Sequence, residues 1–203
     1  MQWNLQEMYE EGNSKYCYPN SNVLINIPGF KEQRQLDAFD RVVTLDRLRM
    51  LHLKPLKGDY NRAHLCEIHR FLFQDIYPFA GVYRNEEIGK DSFRFANVQF
   101  LEPETDRLLL ELKAENLLKD LNYKVFTERI AYYLAELNVL HPFREGNGRA
   151  QREFIRVLAT ESGYHLDFTA VEAEEILKAM IQSPYNTQKL IEVFRTITKR
   201  IDE

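Results

Sequence analysis

Beyond Gly29 the apolar residues fall at three- and four-residue steps, the spacing that lays one stripe along one face of a helix. Leu36, Phe39, Val42 and Val43 form one such set, and Leu65, Ile68, Leu72 and Ile76 a second. Leu108, Leu109, Leu112 and the pair Leu117-Leu118 form a third. Phe126, Ile130, Leu134, Leu137 and Leu140 form a fourth and cleaner one. The same period predicts helices over roughly residues 148–162, 170–182 and 186–201. Stripes of this kind are read as core faces rather than cofactor boxes.

The period fails between residues 82 and 100. There Phe93 and Phe95 alternate with Ser92 and Arg94 just after Ile88-Gly89-Lys90-Asp91, so 88–95 reads as two short strands around a turn. The segment has two uses open to it: an ordinary connection, or an exposed edge that pairs with the backbone of another chain. Ahead of Gly29, Glu10-Glu11-Gly12-Asn13-Ser14 and Tyr18-Pro19-Asn20-Ser21-Asn22 carry turn chemistry without periodicity. The pattern predicts an all-α bundle with one small β-hairpin, divided into an arm over residues 1–35 and a domain over 36–203.

Composition narrows the function. Among 203 residues, 44% are apolar and 29% charged, the mixture of a folded globular chain. The net charge of −4 gives no basic excess, so nucleic-acid binding is not expected. The N-terminus Met1-Gln2-Trp3-Asn4 has neither a basic start nor an apolar run, and charges such as Glu136 cut every long apolar stretch. No membrane role is expected. Cys17 and Cys66 supply neither a disulfide framework nor a zinc cluster, which favours a reducing compartment. The expected location is the cytoplasm, with delivery into another cell left open though no signal for it is visible.

The chemistry concentrates between two helices, in His141-Pro142-Phe143-Arg144-Glu145-Gly146-Asn147-Gly148-Arg149-Ala150-Gln151-Arg152. Pro142 should end the first helix near His141, and Asn147 should cap the next one. The exposed N–H groups and positive dipole end of that second helix suit an anion, with Gly146 and Gly148 allowing close approach. Arg149 and Arg152, three apart, add two guanidinium groups on nearly one face. His141 is placed to act as a general base, and Glu145 as a magnesium carboxylate beside bound phosphate. A zinc site on His141 and Glu145 would need a continuous helix, which Pro142 opposes, and a third ligand. The dinucleotide fingerprint also fails, since Gln151 occupies its third glycine position. The set amounts to phosphoryl- or nucleotidyl-transfer equipment.

These residues match the signature of the Fic-domain family, His-x-Phe-x-(Asp/Glu)-Gly-Asn-Gly-Arg-x-x-Arg, at every fixed position. The resemblance extends over most of the chain after about residue 35 and includes a segment similar to the family's flap, just after Phe79-Ala80-Gly81. Glu145 stands where Asp is commoner. The resemblance implies a Fic-like helical bundle that transfers AMP from ATP to a Tyr, Thr or Ser hydroxyl of another protein. It implies that His141 takes the hydroxyl proton and that Glu145 holds Mg2+. Gly146, Asn147 and Gly148 would form the anion hole, Arg149 and Arg152 would bind the outer phosphates, and Phe143 would anchor the loop. The flap, through Ile88, Gly89, Lys90, Phe93, Arg94 and Phe95, would clamp the target backbone as an added strand. Relatives that move UMP, phosphate or phosphocholine, and a protein that only senses nucleotide, remain open alternatives at this level.

Control is expected from outside the chain. Many relatives carry an inhibitory Ser/Thr-x-x-x-Glu-Gly/Asn helix whose glutamate meets the second motif arginine. Here Glu precedes Gly or Asn only at Glu11-Gly12, Glu115-Asn116 and Glu145-Gly146, and Glu7, Glu111 and His141 stand four residues earlier, so none fits. With the chain ending at Glu203 soon after its last expected helix, the reading is a toxin half whose antitoxin supplies the glutamate in trans. A degenerate inhibitory segment in residues 1–30 is the alternative. His52, His64, His69 and His165 are expected to be structural. Ser183-Pro184-Tyr185-Asn186 could start the last helix or border a base pocket, and Lys90 is expected to be solvated.

Overall fold

A computed structural model describes residues 14–90 and 93–201. Seven helices are found among them: α1 (Gln33–Leu53), α2 (Arg62–Phe73), α3 (Val98–Ala114), α4 (Tyr123–Leu140), α5 (Asn147–Glu161), α6 (Ala173–Gln182) and α7 (Gln188–Ile197). Two small antiparallel pairs join them: β1 (Gly89–Lys90) with β2 (Phe93–Arg94), and β3 (Tyr164–Leu166) with β4 (Thr198–Arg200). The expected all-α bundle with a hairpin is what forms.

The centre is the pair α4 and α5. Helix α4 also packs on α3 and α7, and α5 on α2 and β3. The stripe Phe126, Ile130, Leu134 and Leu137 is fully buried, as are Phe154, Ile155 and Leu158 on α5. This pairing matters for the site, because the loop that joins the two helices is thereby fixed at both ends. Asparagine side chains start α2, α3 and α4: Asn61 accepts from the His64 N–H, Asn97 from that of Gln99, and Asn122 from that of Val125.

Four local expectations change. Helix α1 buries Asp40 and Thr44 along with Leu36 and Leu51, while Val42 is 68% exposed. The stripe is rotated so that two polar groups face Arg149 of α5. Helix α3 stops at Ala114, and Leu118 reaches the core from a left-handed turn in which Asn116, Leu117 and Leu118 all have positive φ. The helix expected from residue 170 begins at Ala173, after a 3-10 turn at Phe168–Ala170 whose start is capped by Asp167. The last helix ends at Ile197, and Thr198, Lys199 and Arg200 pair with Leu166, His165 and Tyr164 as a strand. Strand β3 would otherwise leave backbone donors and acceptors unpaired against α5.

The lead-in packs on the domain. Cys17 bridges Leu24, Val23 and Leu24 enter the core, and the Ile27 N–H donates to the Ile76 carbonyl at 2.8 Å.

Candidate active site

Helix α4 terminates as Pro142 requires, with His141 itself in the left-handed region at φ 46. Its Nδ1 lies 3.3 Å from the Asn138 carbonyl. A proton on Nδ1 satisfies that carbonyl and leaves the Nε2 lone pair as the acceptor. The ring stacks on Phe95 of the hairpin at 3.8 Å and 19°.

The turn is closed by Asn147. Its Oδ1 accepts from the Phe143 N–H at 2.8 Å and its Nδ2 donates to the Phe143 carbonyl at 2.7 Å, with the side chain buried. Asn147 is therefore the first residue of α5, and Gly146, at φ 79, stands in the capping position expected of Asn147. Glycine is required there twice over. A Cβ would need positive φ and would lie 2.3 Å from the Phe73 ring. At Gly148 a Cβ would lie 3.1 Å from Nη1 of Arg152, so the absent side chain lets that guanidinium fold over the first turn of α5. The N–H groups of Asn147, Gly148 and Arg149 lie in that turn, where no intrahelical acceptor exists.

Phe143 is fully buried and stacks on His69 at 3.8 Å. His69 is structural, as expected, but it also spans the site. Its Nδ1 accepts from the Gly81 N–H and its Nε2 donates to the Glu145 carbonyl, both at 2.8 Å. Burial lowers its pKa to about 4, so the ring is neutral at physiological pH. The Glu145 carboxylate accepts from the Gly146 N–H at 2.8 Å and lies 3.5 Å from Arg149 Nη2.

The two arginines do different work. Arg149 forms a two-pronged pair with Asp40 and also donates to Thr44 Oγ1 at 3.1 Å. Burial opposes its charge, but Asp40 and then Glu145 outweigh burial and hold its pKa above the usual range. This pair explains the rotation of α1. Tyr77 completes it by donating to Asp40 Oδ2 at 3.1 Å. Arg152 forms no ion pair or hydrogen bond among the described residues, and burial, then the charge of Arg149, pulls its pKa down to about 10. It stays protonated at neutral pH.

In the hairpin Gly89 pairs with Arg94 and Lys90 with Phe93; Asp91 and Ser92, between them, lie outside the described residues. Ile88, just ahead of β1, is buried, Lys90 is partly buried and Arg94 is exposed. Phe93 meets Phe95 at 5.3 Å and the exposed Tyr185 at 5.9 Å, both edge to face. Ser183 bonds to Met180 and Asn138, which ties the 183–186 turn to α4.

Sequence reasoning missed Asp40, Asn138, Arg84 and Arg144. Arg144 is buried and bonds to Glu86 Oε1 at 3.1 Å; Arg84 reaches the His141 carbonyl at 2.9 Å. The one available signal was Asp40, a carboxylate one residue from Phe39 on an otherwise apolar stripe.

A helical bundle that presents an imidazole, a glycine-flanked helix start and an anion-seeking arginine in one loop defines a nucleotidyl-transfer scaffold. The Fic/DOC family model matches residues 59–159, and the chain belongs to that family. It is 36% identical to the protein adenylyltransferase VbhT of Bartonella schoenbuchensis, over 96% of this chain but 42% of that protein. It is 38% identical to the probable protein adenylyltransferase y4lH of Sinorhizobium fredii, over 82% of this chain and 86% of the relative. Among solved structures, BepC of Bartonella tribocorum with bound AMPPNP superposes with a TM-score of 0.84 at 25% identity, covering 95% of this chain and 99% of that one. A Bartonella quintana Fic domain with bound ADP gives 0.84 at 29% identity, over 91% and 94%.

Proposed function

We propose that this chain is a protein adenylyltransferase that moves AMP from ATP to a Tyr, Thr or Ser hydroxyl of a target protein. The name shared by its relatives supports the transferred group. The observation that carries the chemistry is that the His141 imidazole closes α4 while the guanidinium of Arg152, unpaired among the described residues, folds back over the first turn of α5 at the other side of the same loop. The target hydroxyl oxygen bonds to the α-phosphorus, the bridging α–β P–O bond breaks and pyrophosphate leaves. The hydroxyl proton passes to Nε2 of His141. The first-turn amides of α5 and Arg152 receive phosphate oxygens. Arg149 enters the same role already braced by Asp40. Asn147 serves by holding the turn, its amide being committed to Phe143.

Glu145 suits magnesium. It is a hard oxygen donor, 31% exposed, beside the phosphate-binding turn. Bound there, the ion would neutralise phosphate charge. The hairpin takes the target as an added strand, through Gly89, Lys90, Phe93 and Arg94.

Arg152 also supports the reading as the toxin half of a pair. A buried cation with no carboxylate partner among the described residues is a fitting receptor for a glutamate brought by a small antitoxin, which would compete with phosphate for the same donors. The reading places the chain in the bacterial cytoplasm, with ATP and magnesium at hand. No helix among the described residues is long and apolar enough to cross a membrane.

Incubation with a bacterial lysate and ATP labelled at the α- or γ-phosphate tests the transfer. Label from the α position alone supports AMP; γ label alone, or label from UTP alone, means a different group. Expression of the chain alone should arrest growth in a His141-dependent way. Harmless overexpression of a nucleotide-binding chain, unchanged on deleting residues 1–30, would contradict the toxin reading.

A further inference from the structure

Arg84 lies outside the motif, yet its side chain is fully buried where the hairpin, the end of α4 and His141 meet. Nε donates to the His141 carbonyl at 2.9 Å, Nη1 to that of Glu86 at 2.9 Å, and Nη2 to those of Ala96 at 2.5 Å and Leu140 at 3.3 Å. The backbone repeats the link: the Arg84 N–H donates to the Pro142 carbonyl at 2.8 Å, and the Ala96 N–H to that of Val139 at 3.0 Å. Glu86 precedes the hairpin and Ala96 follows it, so one guanidinium grips both of its roots. Its other two acceptors are carbonyls at the end of α4, where no intrahelical donor remains and a cation suits the dipole. Lifting the hairpin would strip buried charged donors of their acceptors, which is costly. Phe95 stacks on the imidazole and joins the same unit.

We propose that Arg84 is a positioning residue that makes the hairpin and His141 move as one body. A target strand laid on the hairpin then brings its hydroxyl to the imidazole in a single register. This rests on the transfer role assigned to His141, and it concerns alignment rather than nucleotide binding.

Arg84→Lys keeps the charge but replaces a planar fork with a point donor; Arg84→Gln removes the charge. Each is checked by melting and by AMPPNP binding, then examined by hydrogen exchange and by the ring-current shift of the His141 protons. The folded variant should bind AMPPNP within about threefold of wild type. Amides of residues 86–96 should exchange at least about tenfold faster, and the Phe95-induced shift should shrink. Labelling of lysate proteins from α-labelled ATP should fall about tenfold to hundredfold, with little change in KM for ATP. Unchanged exchange and ring shift, or AMPPNP binding lost in parallel, would overturn the proposal. If neither variant folds, the wild-type amides of Arg84, Ala96 and His141 decide: a common opening supports it and independent openings refute it. Exchange and ring shift need no transfer, so a wild-type chain that labels nothing would count against the enzymatic reading alone.

Discussion

The motif glycines separate stability from binding. At Gly146 a Cβ meets the rigid Phe73 ring at 2.3 Å on backbone of positive φ. Gly146→Ala should therefore cost about 2–4 kcal/mol from left-handed strain and overpacking, read as a lower urea midpoint. At Gly148 the neighbour is the movable end of Arg152, 3.1 Å away. Gly148→Ala should leave the midpoint nearly unchanged and weaken ATP binding, measured by calorimetry. Equal effects of the two substitutions would contradict the assignment of Gly148 to the anion site. Glu145→Ala should remove most of the magnesium dependence of transfer, and undiminished transfer in excess chelator would count against that role. At this scale the motif was legible because its chemistry needs particular residue types at fixed offsets. Its bracing was not. Asp40 lies 109 positions from Arg149, and only the packing of α1 on the rest of the fold brings them together.

At the scale of elements, the central helices were readable because their stripes face one core, and the boundaries failed where pairing with a distant segment decides. Strand β4 exists through β3, and nothing local in Thr198-Lys199-Arg200 announces it. The hairpin yields a test of its own. Proline at Phe93 or Arg94 removes a backbone donor, so it should impair target modification more than ATP binding. Equal loss of both would assign the hairpin to the nucleotide. Where α2 meets the loop after α1, His64 is buried against Gly58, with Nε2 3.1 Å from the Leu56 carbonyl, and burial lowers its pKa. A folded-state pKa below the unfolded value of about 6.5 gives stability that is complete above that pH and lost as pH falls through the folded value. The urea midpoint should drop as pH falls below about 6.5, through His64 and the more strongly shifted His69 together, and His64→Gln should reduce that dependence without abolishing it. The same slope in the variant would assign it to other groups.

For the whole molecule, the site is assembled by four remote residues, from three segments, that converge on one turn. Asp40 from α1 braces Arg149, His69 from α2 holds the Glu145 carbonyl, Arg84 ahead of the hairpin holds His141, and Glu86 meets Arg144. With the turn so held, removing the base should leave the cradle intact. The central claim is that His141 takes a proton during AMP transfer and does little else. The direct measurement compares wild type with His141→Ala at matched occupancy, set from each protein's ATP affinity, and follows α-label incorporation into lysate proteins. The account predicts comparable nucleotide affinity and a fall in rate of about 10²–10⁴-fold. Labelling by the variant at the wild-type rate would contradict it.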